Sequence, residues 1–88
     1  MSSAEKAIAR MRNNPTDVSF DALSNLLHRA GCTERSSGSS HHVFRHPTKD
    51  VPDFPQGVTI PFHRPVKKRY VLQALDYYDA LMETDIED

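Results

Sequence analysis

The sequence predicts an α+β fold of two layers, in which a three-stranded antiparallel sheet carries helices on one face. Apolar residues recur at helical spacing in three segments, and short strand-like runs lie between the second and third of these. A chain of 88 residues forms one domain at most, so its core is thin. The second face of such a sheet is left open to solvent or to a ligand.

The first two helices are predicted from apolar periodicity and from residues that favour helix ends. Residues 3–14 form the first, which stops before Pro15 because the residue preceding a proline avoids the helical conformation. Residues 20–30 form the second, with Ser19 as its N-cap and Gly31 as its stop.

Three strands and a helix are expected to follow. The first half of the polar stretch 33–40 is compatible with a strand and its second half with a hairpin turn. Residues 41–46 and 58–62 form the next strands around a loop. Residues 66–82 form the last helix after Pro65. Its expected buried stripe is Val71, Leu75, Tyr78 and Met82.

The whole chain, residues 1–88, is expected to be a single domain. Residues 1–18 would be a helical extension, 19–83 the core and 84–88 an acidic tail. The lone cysteine, Cys32, excludes an internal disulfide framework. The first residues lack the apolar run of a signal peptide, and we therefore expect a reduced cytoplasm as the location.

Charge is unevenly distributed although the net charge is only -1. Between Arg29 and Arg69 there are eight basic and three acidic residues, whereas six acids and no base follow Arg69. A basic middle segment of this kind favours a polyanion-binding face, and an unevenly charged solvated surface is the alternative.

The last helix places charges against its dipole at both ends. Lys67, Lys68 and Arg69 lie at its start, and the acids lie toward its end. Unfavourable charges without compensation are typical of functional sites. Three cations beside free N–H groups of a helix start are suited to bind phosphate.

Strand alternation indicates which side chains share the open face. Phe44 is the best core residue of the second strand, and Val58, Ile60 and Phe62 are expected to face the helices. The open face would then carry His41, Arg45, Thr59 and His63. A histidine beside cations suits RNA cleavage, in which one group accepts the 2′-hydroxyl proton and cations stabilise the charged phosphate.

Two other kinds of site are less consistent with the sequence. The spacing of the cysteine and histidines matches no common metal-binding pattern, so no metal or other cofactor is expected. Cys32 is expected to be a small core residue, since no base is placed beside it. His28, His42 and His46, taken singly, are more consistent with surface residues that have no role.

The run Gly38-Ser39-Ser40-His41-His42-Val43-Phe44 resembles the Gly-Ser-His signature of HicA-type toxins, and the similarity extends over about residues 20–81. The resemblance implies a double-stranded-RNA-binding-like fold and metal-independent cleavage of mRNA by a catalytic histidine, which corresponds to His41. It also implies a HicB-type antitoxin partner. Gly38, Ser39 and Ser40 would shape and present the loop. Ser40, Arg45, His63, Lys67, Lys68 and Arg69 would contact RNA.

Three functional hypotheses remain open at this point. The first is a toxin that acts as an endoribonuclease. The second is a module that binds RNA by shape and backbone contacts without cutting it. The third is an inactive relative that acts by holding its antitoxin partner.

Overall fold

The computed structural model describes residues 3–36, 38 and 40–83 and confirms the α+β class. The three strands form one open antiparallel sheet in the order β1-β2-β3, with β2 in the centre. The order of elements along the chain is the predicted one. The elements are α1 (Ser3–Asn13), α2 (Phe20–Arg29), β1 (Thr33–Ser36), β2 (His41–Arg45), β3 (Val58–Pro61) and α3 (Lys68–Glu83).

The core lies between one face of the sheet and the helices. In β3, Val58 and Ile60 are buried and Thr59 between them is exposed, as expected when one face is covered. Phe44 of β2 is completely buried. The helices contribute the rest of the packed layer, chiefly Phe20, Leu23, Leu26 and Leu27 of α2 and Val71, Ala74, Leu75, Tyr77 and Leu81 of α3.

Helix α3 differs from its prediction in one buried aromatic residue. Tyr77 is 1% exposed, whereas Tyr78 and Met82 are only half-buried. The Tyr77 hydroxyl accepts a hydrogen bond from the backbone N–H of His46 at 2.9 Å. This bond satisfies the phenol oxygen, and burial raises the pKa of Tyr77.

The start of α3 also lies two residues later than predicted. Val66 is buried in the segment before the helix, where its N–H donates to the carbonyl of Val18 at 3.0 Å. The carbonyl of Lys67 accepts from the N–H groups of Tyr70 and Val71, and it therefore begins the helical hydrogen-bond ladder.

Helix α1 packs against α3 and compensates part of its acidic face. Arg12 of α1 donates to Asp79 and lies 3.9 Å from Asp76. The expectation that the acids of α3 lack compensation is therefore wrong for these two, because a cation from another helix faces them. No helix in the described part of the chain is long and apolar enough to span a bilayer.

Gly57 permits a close approach of two chain segments immediately before β3. Its φ is +80°, and a Cβ atom there would lie 2.1 Å from the carbonyl oxygen of Phe44. We expect Gly57→Ala to lower the free energy of unfolding by about 3 kcal/mol or more, because backbone strain adds to a backbone clash. Urea denaturation followed by circular dichroism measures this loss.

Gly38→Ala is the matched control, because its φ of +86° is similar but no atom lies within 4 Å of the added Cβ. We expect a loss of about 1 kcal/mol from backbone strain alone. Equal losses in the two variants would contradict the assignment of the Gly57 effect to the contact with Phe44.

Candidate active site

The uncovered face of the sheet carries the candidate catalytic histidine. His41 is the first residue of β2, is exposed, and pairs with Pro61 of β3. Paired residues and residues two apart on a strand share a face, so His41 lies on the side opposite to Phe44. The same rule places Arg45 and Thr59 on this uncovered face.

A broad cavity of about 620 Å³ occupies the middle of the uncovered face. Arg35, Arg45 and Thr59 are among the residues that line it, and all three are exposed. Arg45 lies four residues from His41 along β2, which corresponds to about 13 Å at the rise of a strand. Arg45 therefore belongs to a region of the face separate from the start of β2.

A second cavity of about 240 Å³ lies where β2 begins, β3 ends and α3 starts; we call it the β2–α3 cavity. The backbone N–H of Phe62 donates to the carbonyl of Ser40 at 2.7 Å, which holds the two chain segments together beyond the last strand pair. Lys68 is exposed but does not line this cavity. Its lining residues are Ser40, Pro61, Phe62, His63, Lys67, Arg69 and Tyr70.

The backbone sets the orientation of His63 in this cavity. Its Nδ1 lies 2.8 Å from the carbonyl oxygen of Pro65, and a carbonyl only accepts, so Nδ1 carries the proton. In the neutral ring, Nε2 is then the nitrogen with a lone pair. His63 is thus suited to accept a proton or to donate one after protonation.

Two other histidines bind a shared carboxylate on the covered side of the sheet. His42 Nδ1 lies 2.9 Å from one oxygen of Glu34, and His28 Nε2 lies 2.8 Å from the other. The hydrogen bond from His28 makes the largest contribution to lowering the pKa of Glu34. His28 Nδ1 also lies 3.2 Å from the carbonyl oxygen of Cys32. This network joins α2, β1 and β2.

His46 and Cys32 have contacts that stabilise the fold. His46 Nδ1 accepts hydrogen bonds from the N–H groups of Thr48 and Lys49 at 3.2 and 3.0 Å. Cys32 is 5% exposed, and burial raises the pKa of its thiol to about 11. The thiolate is therefore disfavoured, and a nucleophilic role with it.

The loop before His41 is described in part. Gly38 is exposed with a φ of +86°, consistent with a turn, and Ser40 is exposed directly before β2. Ser39 lies outside the described residues. Within the described ranges, no group of three or more histidine, cysteine or acidic side chains is arranged to hold a metal ion.

Sequence reasoning missed two features of this region. Phe62 faces α2 as expected, since its ring packs against Phe20, but the sequence did not indicate that the ring would remain 40% exposed. The hydrogen bonds that join Glu34 to His28 and His42 were also missed. Glu34 pairs with Phe44 across β1 and β2, and His42 lies two residues from Phe44 on the same face. Only knowledge of this strand register could have placed the Glu34 side chain beside His42.

The fold and the site define a small α+β protein whose uncovered sheet face carries an exposed histidine directly after Ser40, a residue that lines a cavity with Lys67 and Arg69. The family model of the HicA toxin of bacterial toxin–antitoxin systems matches residues 21–77. This is well over half of the chain, and the chain belongs to the HicA toxin family. Membership implies an antitoxin partner. Comparisons with curated proteins and with solved structures found no match.

The hydrogen bonds of Glu34 to His28 and His42 predict that Glu34 makes a pH-dependent contribution to stability. Because the pKa of Glu34 is lowered from its ordinary 4.5 in the folded state, its carboxylate stabilises the fold above that pH. The contribution is lost as the pH falls and the carboxylate is protonated. We expect Glu34→Gln to cost about 1 kcal/mol at neutral pH and progressively less in acid. Urea denaturation across this pH range measures the difference.

Glu83→Gln is the control, since Glu83 is exposed at the end of α3, where the helix dipole disfavours an anion. It is expected to leave stability unchanged or slightly raised. A pH-independent loss in Glu34→Gln would show that the carboxylate charge does not contribute.

Proposed function

We propose that this chain is the toxin of a type II toxin–antitoxin pair and acts as a metal-independent endoribonuclease on mRNA, with His41 as its single catalytic histidine. The observation that carries the proposal is the position of His41. It is exposed at the first residue of β2, directly after Ser40, and Ser40 lines the β2–α3 cavity with Lys67 and Arg69.

The chemistry follows from the groups that this region offers. His41 would accept the proton of a ribose 2′-hydroxyl, whose oxygen then attacks the adjacent phosphorus. The bond from phosphorus to the 5′-oxygen breaks, which leaves a cyclic phosphate and a 5′-hydroxyl. The leaving oxygen needs a proton, which protonated His41 can return. No redox partner or metal is required for this step.

The basic residues supply charge stabilisation along the RNA. Lys67 and Arg69 would contact the phosphate nearest His41, since both line the cavity beside Ser40. Arg45 would hold a phosphate farther along the uncovered face. Such contacts stabilise the negative charge that grows on the phosphate in the transition state.

Two further parts of the proposal rest on family membership. A HicB-type antitoxin would cover the uncovered face until it is degraded, which keeps His41 from RNA. The toxin would act in the cytoplasm, where its mRNA substrate is located. Both parts fit a face that carries exposed His41 and Arg45 and no covering helix among the described residues.

His41→Gln is expected to abolish cleavage of a single-stranded RNA, with a loss of at least about 100-fold, because glutamine cannot transfer the proton. The assay uses purified protein with EDTA present and gel analysis of labelled RNA. Circular dichroism should show an unchanged fold, since His41 is exposed. Full activity in this variant would contradict the assignment.

His42→Gln is the matched control, because His42 is adjacent in sequence but lies on the covered side and bonds to Glu34. It is expected to keep cleavage within a few-fold of the unaltered protein. If neither the unaltered protein nor either variant cuts RNA, the chain acts by binding RNA or its antitoxin instead.

Lys67 and Arg69, which line the β2–α3 cavity, are expected to contribute more to RNA affinity than Lys68. In the His41→Gln background, Lys67→Gln or Arg69→Gln should weaken binding and reduce the slope of log affinity against log salt by about 0.7 each. Lys68→Gln should have the smaller effect, because Lys68 does not line the cavity. Fluorescence anisotropy at several salt concentrations measures all three. Equal effects of the three substitutions would show that RNA affinity depends only on the total charge of the protein.

A further inference from the structure

Phe62 is the large apolar side chain that the described part of the chain leaves most exposed. Its relative exposure is 40%, and every other large apolar residue of that part is buried or half-buried. It follows directly on the last residue of β3 and lines the β2–α3 cavity. Exposing an aromatic ring costs burial energy, which makes its position beside the candidate active site informative.

The ring is held in place rather than left as a loose surface group. Its backbone N–H donates to the carbonyl of Ser40, the residue before His41. The edge of the ring packs against Phe20, with 5.2 Å between centroids and an interplanar angle of 70°. The Arg64 guanidinium lies over the ring at 5.4 Å from the centroid. The orientation of Phe62 is therefore defined before any ligand arrives.

The surroundings of Phe62 combine aromatic and cationic groups. Tyr70 lines the same cavity, and the Arg69 guanidinium donates to the Tyr70 hydroxyl at 2.9 Å. Lys67 adds a second cation. Proteins that bind single-stranded nucleic acid use this combination, in which bases stack on aromatic rings and cations follow the phosphates.

The size of the cavity restricts what it can hold. At about 240 Å³ it is smaller than the roughly 300 Å³ at which pockets for drug-sized ligands begin. A cavity of this volume can hold one planar base. A protein partner would need a larger continuous apolar patch, whereas Phe62 has cations around it.

We propose that Phe62 is a stacking platform for one base of the single-stranded RNA, at the cavity whose cations are Lys67 and Arg69. A base on the ring takes the place of the Arg64 guanidinium, which then lies beside the RNA backbone. Lys67 and Arg69 contact the phosphate of the same nucleotide. This inference rests on the proposed function, because it takes single-stranded RNA as the ligand.

The test uses the full chain with His41→Gln, so that RNA stays intact, and measures affinity by fluorescence anisotropy. The probes are short fluorescein-labelled single-stranded RNAs of mixed sequence, together with versions in which each base in turn is replaced by an abasic residue. Phe62→Leu keeps an apolar side chain but removes the aromatic face. Phe62→Tyr keeps that face.

We expect Phe62→Leu to bind intact RNA about tenfold more weakly and Phe62→Tyr to bind within about twofold of the parent. One abasic position should weaken binding to the parent by about tenfold. The same abasic RNA should lose little more when it binds Phe62→Leu, because the stacking contact is already absent.

Phe54→Leu is the matched control for the change of side chain. Phe54 is half-buried, packs against Tyr77 at 5.4 Å between centroids, and does not line the β2–α3 cavity. Its RNA affinity should equal that of the parent. Urea denaturation of each variant separates loss of fold from loss of binding.

The outcomes separate this inference from the proposed function. Unchanged RNA affinity in a folded Phe62→Leu variant, or equal additional loss with every abasic RNA, overturns the stacking role while RNA binding itself stands. Weakened binding of the antitoxin with unchanged RNA affinity overturns it in favour of a protein contact. If the His41→Gln parent binds no RNA at all, the proposed function fails and the stacking role fails with it.

Discussion

The burial of Phe44 at the centre of the sheet is the constraint on which the rest of the arrangement depends. Phe44 has no exposed surface and pairs with Glu34 on one side and Val58 on the other. Because side chains alternate along a strand, its burial turns His41 and Arg45 to the uncovered face. A slip of one residue would expose the phenyl ring and turn the candidate catalytic histidine into the core.

Helix α3 joins this core to the candidate site. Its buried residues cover the sheet, and the Tyr77 hydroxyl accepts a hydrogen bond from the chain directly after β2. The same packing fixes where the helix begins, which brings Lys67 and Arg69 to the start of β2. The position of the cations is thus a consequence of core packing, because a rotation of the helix about its axis would expose its apolar stripe.

Local patterns in the sequence were sufficient to predict the order of the elements and the placement of His41, Arg45 and Thr59 on the uncovered face. Alternation around Phe44 depends only on neighbours along one strand, so His41 and Arg45 were placed correctly. The burial of Tyr77 rather than Tyr78 depends on a hydrogen bond to a residue 31 positions away. The partial exposure of Phe62 depends on which groups pack around its ring, and neither feature has a signature in a short window of sequence.

The five histidines of the chain lie at two kinds of place in the fold. His28, His42 and His46 bond to Glu34 or to backbone groups and stabilise the junctions between elements. His41 and His63 are exposed near the start of β2 and the end of β3.

Cleavage through a 2′-hydroxyl needs one proton removed and one delivered. A single histidine can perform both in sequence. The tautomer of His63, fixed by the carbonyl of Pro65, leaves Nε2 as a second group with the right chemistry in the same cavity wall as the cations. Whether one histidine or two transfer these protons therefore depends on whether His63 Nε2 reaches the leaving oxygen.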